Sequence, residues 1–223
     1  MRIPLSMMAK RTATTANAIL GLLALRPKWS TWDLTKQLRS NMRLFWPRAE
    51  SRIYEEARAL ADQGLSRATK TSTGRRKKTI YSTTAKGTRE LERWLATPPK
   101  PTALECEPLL RIFLGKLGTR AQMHLALDQV RADADGILDV GRVVAAEYLA
   151  GTAPFQDHVE VRAFVFDFLS NYAMTLIEWA DRTERTMGAW DHQSPAQRER
   201  AALRRIRATR ALYPPDRPVR ETH

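Results

Sequence analysis

Three prolines in four residues, at Thr97-Pro98-Pro99-Lys100-Pro101, constrain this chain more than any other feature. Proline has no amide hydrogen and its ring clashes with the preceding turn, so no helix runs through such a stretch. The chain must be built in parts, and its charge divides at the same place. Residues 1–98 carry 20 Lys+Arg against 7 Asp+Glu, residues 99–190 carry 9 against 13, and residues 191–223 carry 8 against 4. The respective nets are +13, −4 and +4, so the first part alone matches the +13 of the whole chain. We expect a mainly α protein with a basic domain over 1–98, a mildly acidic helical domain over 99–190, and a basic, partly disordered tail over 191–223.

Charge concentrated in this way favours a polyanionic partner, either nucleic acid or an anionic membrane surface. The longest apolar run, Ala18 to Leu25, is eight residues and far short of a bilayer span. Nothing at the N-terminus has the pattern of a signal peptide. One cysteine, Cys106, excludes an internal disulfide framework and fits a reducing compartment. The expectation is a cytoplasmic protein with no membrane partner. The histidines His124, His158, His192 and His223 are scattered, and no Cys/His or Asp/His pair has metal-ligand spacing. Gly-rich phosphate loops and nucleophile elbows are absent from the sequence. The sequence offers no catalytic residue, metal ligand or cofactor site.

The basic domain reads as helices followed by a hairpin. Ile19, Leu22 and Leu23 recur at i, i+3, i+4 in a helix that Pro27 ends. Ser30 or Thr31 caps a second helix, with Leu34 and Leu38 inward. A third begins at Trp46-Pro47, with Pro in the first turn, and carries the stripe Ala49, Ile53, Ala57, Leu60 and Ala61. Gly64 caps it. Its opposite face presents Arg48, Ser51, Glu55, Arg58 and Asp62, with Arg52 beside them and Tyr54 on the flank. An apolar back and a polar front suit a helix that reads base edges. Ser66–Thr71 and Thr79–Thr83 then read as short strands around Ser72-Thr73-Gly74, with Arg75, Arg76, Lys77 and Lys78 at the hairpin tip. Thr84 caps a fourth helix bearing Leu91, Trp94 and Leu95. Three helices, a basic hairpin and a fourth helix make a winged helix-turn-helix. A run of four cations can also be a solvated surface. Trp29, Trp32, Trp46 and Trp94 fit a core better than a ligand platform, whereas Tyr54 suits packing and phosphate contact equally.

The order of these segments resembles the PadR family of transcriptional regulators. Carrying the resemblance are Ala18-Ile19-Leu20-Gly21-Leu22-Leu23-Ala24-Leu25, Trp32-Asp33-Leu34, Glu50-Ser51-Arg52-Ile53-Tyr54 and Leu60-Ala61-Asp62-Gln63-Gly64-Leu65. Gly74-Arg75-Arg76-Lys77-Lys78-Thr79-Ile80-Tyr81, Thr84-Ala85-Lys86-Gly87 and Trp94-Leu95 complete it. The resemblance implies a homodimeric repressor that binds a double-stranded operator, with an inverted repeat, and is released by a small aromatic or hydrophobic effector. It also points to Trp94, beside the proline-rich junction, as an effector-stacking residue between the domains. One departure stands out. The family often has glycine near Ser51-Arg52 and proline after the tyrosine, whereas here Glu55 follows Tyr54. That carboxylate can pair with Arg58, accept from a cytosine amine, or weaken non-specific binding.

In the second domain Pro108 opens a short helix through Leu109, Ile112, Phe113 and Leu117. Thr119 caps a long one to about Leu149, in which Met123, Leu127, Val130, Ala134, Ile137, Gly141, Val144 and Tyr148 form a heptad seam. A further helix from about Asp157 to Gly188 carries Val161, Val165, Phe168, Tyr172, Leu176 and Trp179. Its apolar arc is broad, and a partner subunit is the simplest cover. We therefore assign Leu127, Val130, Ala134, Ile137, Gly141, Val144, Val161, Val165, Phe168 and Tyr172 to a dimer interface, against an intramolecular hairpin. Ser194-Pro195-Ala196-Gln197 opens an Arg-rich tail helix that can pair with the acidic domain, touch DNA or membrane, or stay solvated. An architectural DNA binder without an effector is the alternative function.

Overall fold

The computed structural model describes residues 14–47, 49–73 and 76–213, and the chain divides into two units, residues 1–103 and 104–223. Unit 1 runs α1 (Thr14–Leu25), β1 (Trp29–Ser30), α2 (Thr31–Gln37), α3 (Glu50–Asp62), β2 (Ser66–Thr73), β3 (Arg76–Thr83) and α4 (Ala85–Leu95). The sheet is antiparallel in the order β1-β3-β2, with Trp29 opposite Tyr81 and Ala68 opposite Tyr81 on the other side. This is a winged helix with a third, two-residue strand. β1 is too short to show any period, so no pattern in the sequence announces it.

The core of unit 1 gathers Ile19, Leu20, Leu22 and Leu23 of α1, Leu34 of α2, Ile53, Ala57 and Leu60 of α3, and Trp29 and Tyr81 of the sheet. Ser30 caps α2 in a reciprocal box: its hydroxyl accepts from the Asp33 amide, and its amide donates to the Asp33 carboxylate at 3.1 Å. Of the four tryptophans, Trp29 is buried, Trp46 and Trp94 are half-buried, and Trp32 is exposed. The expectation of a core Trp32 is corrected, because it stands in the first turn of α2 on the side away from Leu34.

α3 starts three residues later than the Trp46-Pro47 signal suggests. The Trp46 amide donates to the Met42 carbonyl at 2.6 Å, closing the preceding turn, and the first α3 bonds run from Arg52 and Ile53 back to Ala49. Ala49 is consequently the extended, exposed N-cap and not part of the buried stripe. At the other end Gly64 adopts φ +69°, with Leu65 N–H donating to Leu60 and Gly64 N–H to Ala61. This paired closure leaves a residue in the left-handed region, where glycine is favoured. α4 is fastened to the same corner. Thr84 Oγ1 accepts from Gly87 N–H and donates towards the Gly64 and Leu65 carbonyls, while Lys86 Nζ donates to Gln63 O at 2.8 Å. A Cβ on Gly87 would lie 2.0 Å from Leu65 O, so only glycine fits there.

Unit 2 runs α5 (Glu107–Phe113), α6 (Arg120–Leu149), α7 (Val159–Gly188) and α8 (Pro195–Arg210). Thr119 and Gln122 form the capping box that opens α6. α6 and α7 make an antiparallel hairpin, and this corrects part of the expected dimer surface. Leu127 and Val130 of α6 form one buried cluster with Ala180 and Met187 of α7, with Ile112, Met123 and Trp190 packed against it, and Ala134 and Ala173 are buried as well. Gly141 faces the Phe166 ring, where a Cβ would make an ordinary contact at 3.7 Å. A heptad stripe asks only for a facing helix, and here the chain supplies its own. Ile137 and Val144 are half-buried on the same side. Arg131 clasps the register, reaching Asp181 and Glu184 across the hairpin and Asp128 on its own helix. Burial opposes its charge, but those carboxylates raise its pKa further.

The other face of α7 stays open. Val161, Phe164, Val165 and Phe168 are 54%, 75%, 43% and 65% exposed, and Phe168 stacks on half-buried Tyr172 at 6.3 Å. Their i, i+3, i+4, i+7 spacing makes one stripe two turns long. Among the described residues no helix is long and apolar enough to cross a membrane.

Candidate nucleic-acid interface

Three buried side chains, Ile53, Ala57 and Leu60, fix the orientation of α3 and so decide which residues face out. Ser51, Arg52, Tyr54, Glu55 and Arg58 are all exposed on that outward arc. Tyr54 is 44% exposed. Arg48 and Arg75 lie outside the described residues. For Arg76 and Lys77 only the strand backbone is described.

Arg52 does not stand free. It reaches Glu56 Oε1 at 2.7 Å and Glu55 Oε2 at 3.7 Å, one turn further along the same helix. The sequence reading offered Arg58 as the partner of Glu55, and the structure gives Arg52 instead. Both arginines stand three residues from Glu55, so helical spacing alone does not choose between them. The Arg52 guanidinium is therefore held along the helix by two carboxylates. At the helix start Glu50 pairs with Arg39, placing a carboxylate where the helix dipole favours one.

The hairpin is longer than its sequence suggests. β2 and β3 pair continuously from Ser66 opposite Thr83 to Thr73 opposite Arg76. Ser72, Thr73, Arg76, Lys77 and Lys78 thus belong to the ladder, and only residues 74 and 75 separate the strands. This corrects the picture of four cations at a flexible tip: three of them are paired into the strand, because the β-branched threonines opposite extend the ladder. Lys78 is exposed, as are Arg67 and Lys70 of β2. Arg67 and Lys70 stand three residues apart, so they project from opposite faces of β2 and lie outside the cation run that marks the hairpin in the sequence.

The wing also touches the base of α2 through its field. Burial works against the Asp33 carboxylate, but the Ser30 hydroxyl and amide both donate to it and Arg26 and Lys78 add positive charge. Its pKa consequently lies below the ordinary carboxylate value. Burial pushes the Tyr81 phenol up, with Arg58 opposing and Asp62 assisting. Arg26 lies over the Trp29 ring at 3.8 Å. Trp94 is half-buried near the end of α4, and its carbonyl accepts from the Thr97 hydroxyl at 2.7 Å. Among the described residues no group of three or more His, Cys, Asp or Glu is placed to hold a metal ion.

No protein-family model matches the chain. Among characterised proteins it is similar to the negative transcriptional regulator PadR of Bacillus subtilis, 28% identical over 167 residues, spanning 71% of this chain and 91% of PadR. Its structure is similar to that of a PadR-like transcriptional regulator from Bacillus cereus, with a TM-score of 0.65 at 16% identity, covering 79% of this chain and 99% of the other. It is likewise similar to Bacillus subtilis PadR solved with operator DNA, with a TM-score of 0.64 at 22% identity, covering 77% and 97%. The same PadR solved with p-coumaric acid gives a TM-score of 0.58 at 22% identity, covering 77% and 96%.

Proposed function

We infer that this chain is a PadR-type transcriptional regulator, a sequence-specific binder of double-stranded DNA that acts as a homodimeric repressor released by a small aromatic effector. The observation that carries the reading is the build of α3. Its apolar back is locked into the core, its outward arc holds Ser51, Arg52, Tyr54 and Arg58, and a cation-bearing β-hairpin follows it. Such a helix can enter a major groove while the hairpin holds phosphates, dividing specificity from positioning. The likeness to PadR, which is solved with operator DNA and with p-coumaric acid, supports both the ligand class and the effector class. The relatives are regulators of transcription, and the protein is assigned no catalytic role. A cytoplasmic location is part of the same proposal.

Dimerisation is assigned to the open stripe of α7, Val161, Phe164, Val165 and Phe168 with Tyr172, because an exposed apolar row of this length needs a cover. Leu127, Val130 and Ala134 support the dimer only by holding α7 in place. Trp94 is assigned to effector stacking. If Trp94→Ala leaves p-coumaric acid-induced DNA release intact in a folded protein, that assignment is wrong.

Selection from a random-sequence duplex library tests the function. The expected product is an inverted repeat whose half-site centres lie about one helical turn apart, or a multiple of it. Binding without enrichment of any sequence would replace the reading with that of an architectural protein.

A further inference from the structure

The regulator reading leaves α8 without a role. This helix is built to be ordered: Ser194 and Gln197 form a reciprocal capping box and Pro195 occupies the first turn. It carries arginines 198, 200, 204, 205, 207 and 210 against the single acid Glu199. Five of the six arginines fall into two sets. Arg198 donates to the Trp190 carbonyl at 2.7 Å and the Gln193 carbonyl at 3.1 Å, and Arg205, seven residues on, donates to Thr186 Oγ1. These two fasten one face of α8 to the end of α7 and the segment after it. Arg200, Arg204 and Arg207 lie about half a turn round the helix, at i, i+4 and i+7, in one line along its axis. Among the described residues none of the three is in an ion pair with a carboxylate, and all are exposed. Pairing with the acidic unit, one of the roles open to this helix in the sequence, is therefore not what neutralises the line.

We propose that Arg200, Arg204 and Arg207 of α8 form a second phosphate-binding element for duplex DNA, separate from α3 and the hairpin. The three span about 10 Å of helix at 1.5 Å per residue. A duplex presents about six phosphate charges over that length of its axis. Guanidinium groups bind such oxygens through paired donors and stay charged throughout the physiological range. A membrane surface fits less well. Between the arginines α8 exposes only Leu203 and Ile206 as large apolar side chains, with alanines around them and no aromatic residue. An interfacial helix needs a broad apolar face. Such an element adds affinity without sequence preference.

The proposal rests on the DNA-binding reading, and salt dependence separates the two. Fluorescence anisotropy would follow the full chain, its Arg200→Gln/Arg204→Gln/Arg207→Gln variant and the matching triple Lys variant. The probes are a selected duplex and a scrambled one of equal length, each at several salt concentrations. Far-ultraviolet circular dichroism confirms that each variant is folded. The expected result is a salt slope shallower by about 2.7 per subunit in the Gln variant on both duplexes, at about 0.9 for each phosphate contact. The Lys variant should keep the slope, because counterion release follows charge. The ratio of affinities between the duplexes should not change. An unchanged slope in the Gln variant, with normal binding by the parent chain, overturns the α8 proposal and leaves the regulator reading standing. Failure of the parent chain to bind either duplex overturns both. Co-sedimentation with phosphatidylglycerol vesicles that the Gln variant loses, with its DNA slope intact, assigns the arginine line to a membrane instead.

Discussion

The two units bury their apolar residues to very different degrees. Unit 1 closes its core: α1 alone buries Ile19, Leu20, Leu22 and Leu23, and the sheet adds Trp29 and Tyr81. What it leaves outside on α3 is polar, the arc of Ser51, Arg52, Glu55 and Arg58. Unit 2 closes only a narrow seam, in which Ala134, Ala173 and Ala180 let two long helices approach, and it leaves phenylalanines outside. The contrast shows how the sign of a surface announces its partner. A charged arc on a finished core suits a hydrated, charged ligand. An apolar stripe on an unfinished core suits another copy of itself.

The largest break in this contrast is Phe168→Asp together with Val165→Asp. Placing charges on the open α7 stripe should convert a species of twice the 25.4 kDa chain mass into the single chain, read by sedimentation equilibrium. Persistence of the dimer in the folded double variant would show that the interface lies elsewhere. Inside the seam the effect should be of another kind. Leu127→Ala should cost about 2–5 kcal/mol of stability by leaving a cavity, without dissociating the dimer at concentrations where the protein remains folded. A denaturant titration beside the same sedimentation experiment distinguishes the two.

In unit 1 the equivalent test is Gly87→Ala. Its Cβ would meet the Leu65 carbonyl at 2.0 Å, so unit 1 should lose about 3 kcal/mol or more while the unit 2 transition is unchanged. Amide exchange of α4 against α7 measures the difference, and equal protection losses in both would contradict it. The smallest effect concerns acid. Asp33 has a folded pKa below its ordinary value, so its contribution is present above the unfolded pKa and fades as pH falls through the folded one. Stability of unit 1 should therefore weaken below about pH 4 in the parent chain, and Asp33→Asn should flatten that part of the profile.

Much of this was legible in the residues. The stripe Ile53-Ala57-Leu60, the Gly64 cap, the Thr119 cap and the hairpin all come from local rules that tertiary structure did not override. What was not legible depends on choices between equivalent partners. A heptad stripe looks alike whether the facing helix belongs to the same chain or another, so Leu127 and Val130 read as interface when they are hairpin core. Glu55 had arginines on either side, and the choice of Arg52 over Arg58 needed side-chain geometry. β1 is two residues long and exists only because β3 offers an edge to pair with.

Arg52 joins these points, since it is an outward guanidinium restrained by Glu55 and Glu56. The decisive measurement is the affinity of the parent chain and of Arg52→Ala for a selected duplex and for its scrambled counterpart, at one fixed salt concentration. If α3 reads bases, the substitution should cost about 1–3 kcal/mol on the selected duplex and much less on the scrambled one, relaxing preference at one base step per half-site. Equal losses on both duplexes would contradict the assignment of α3 as the reading helix.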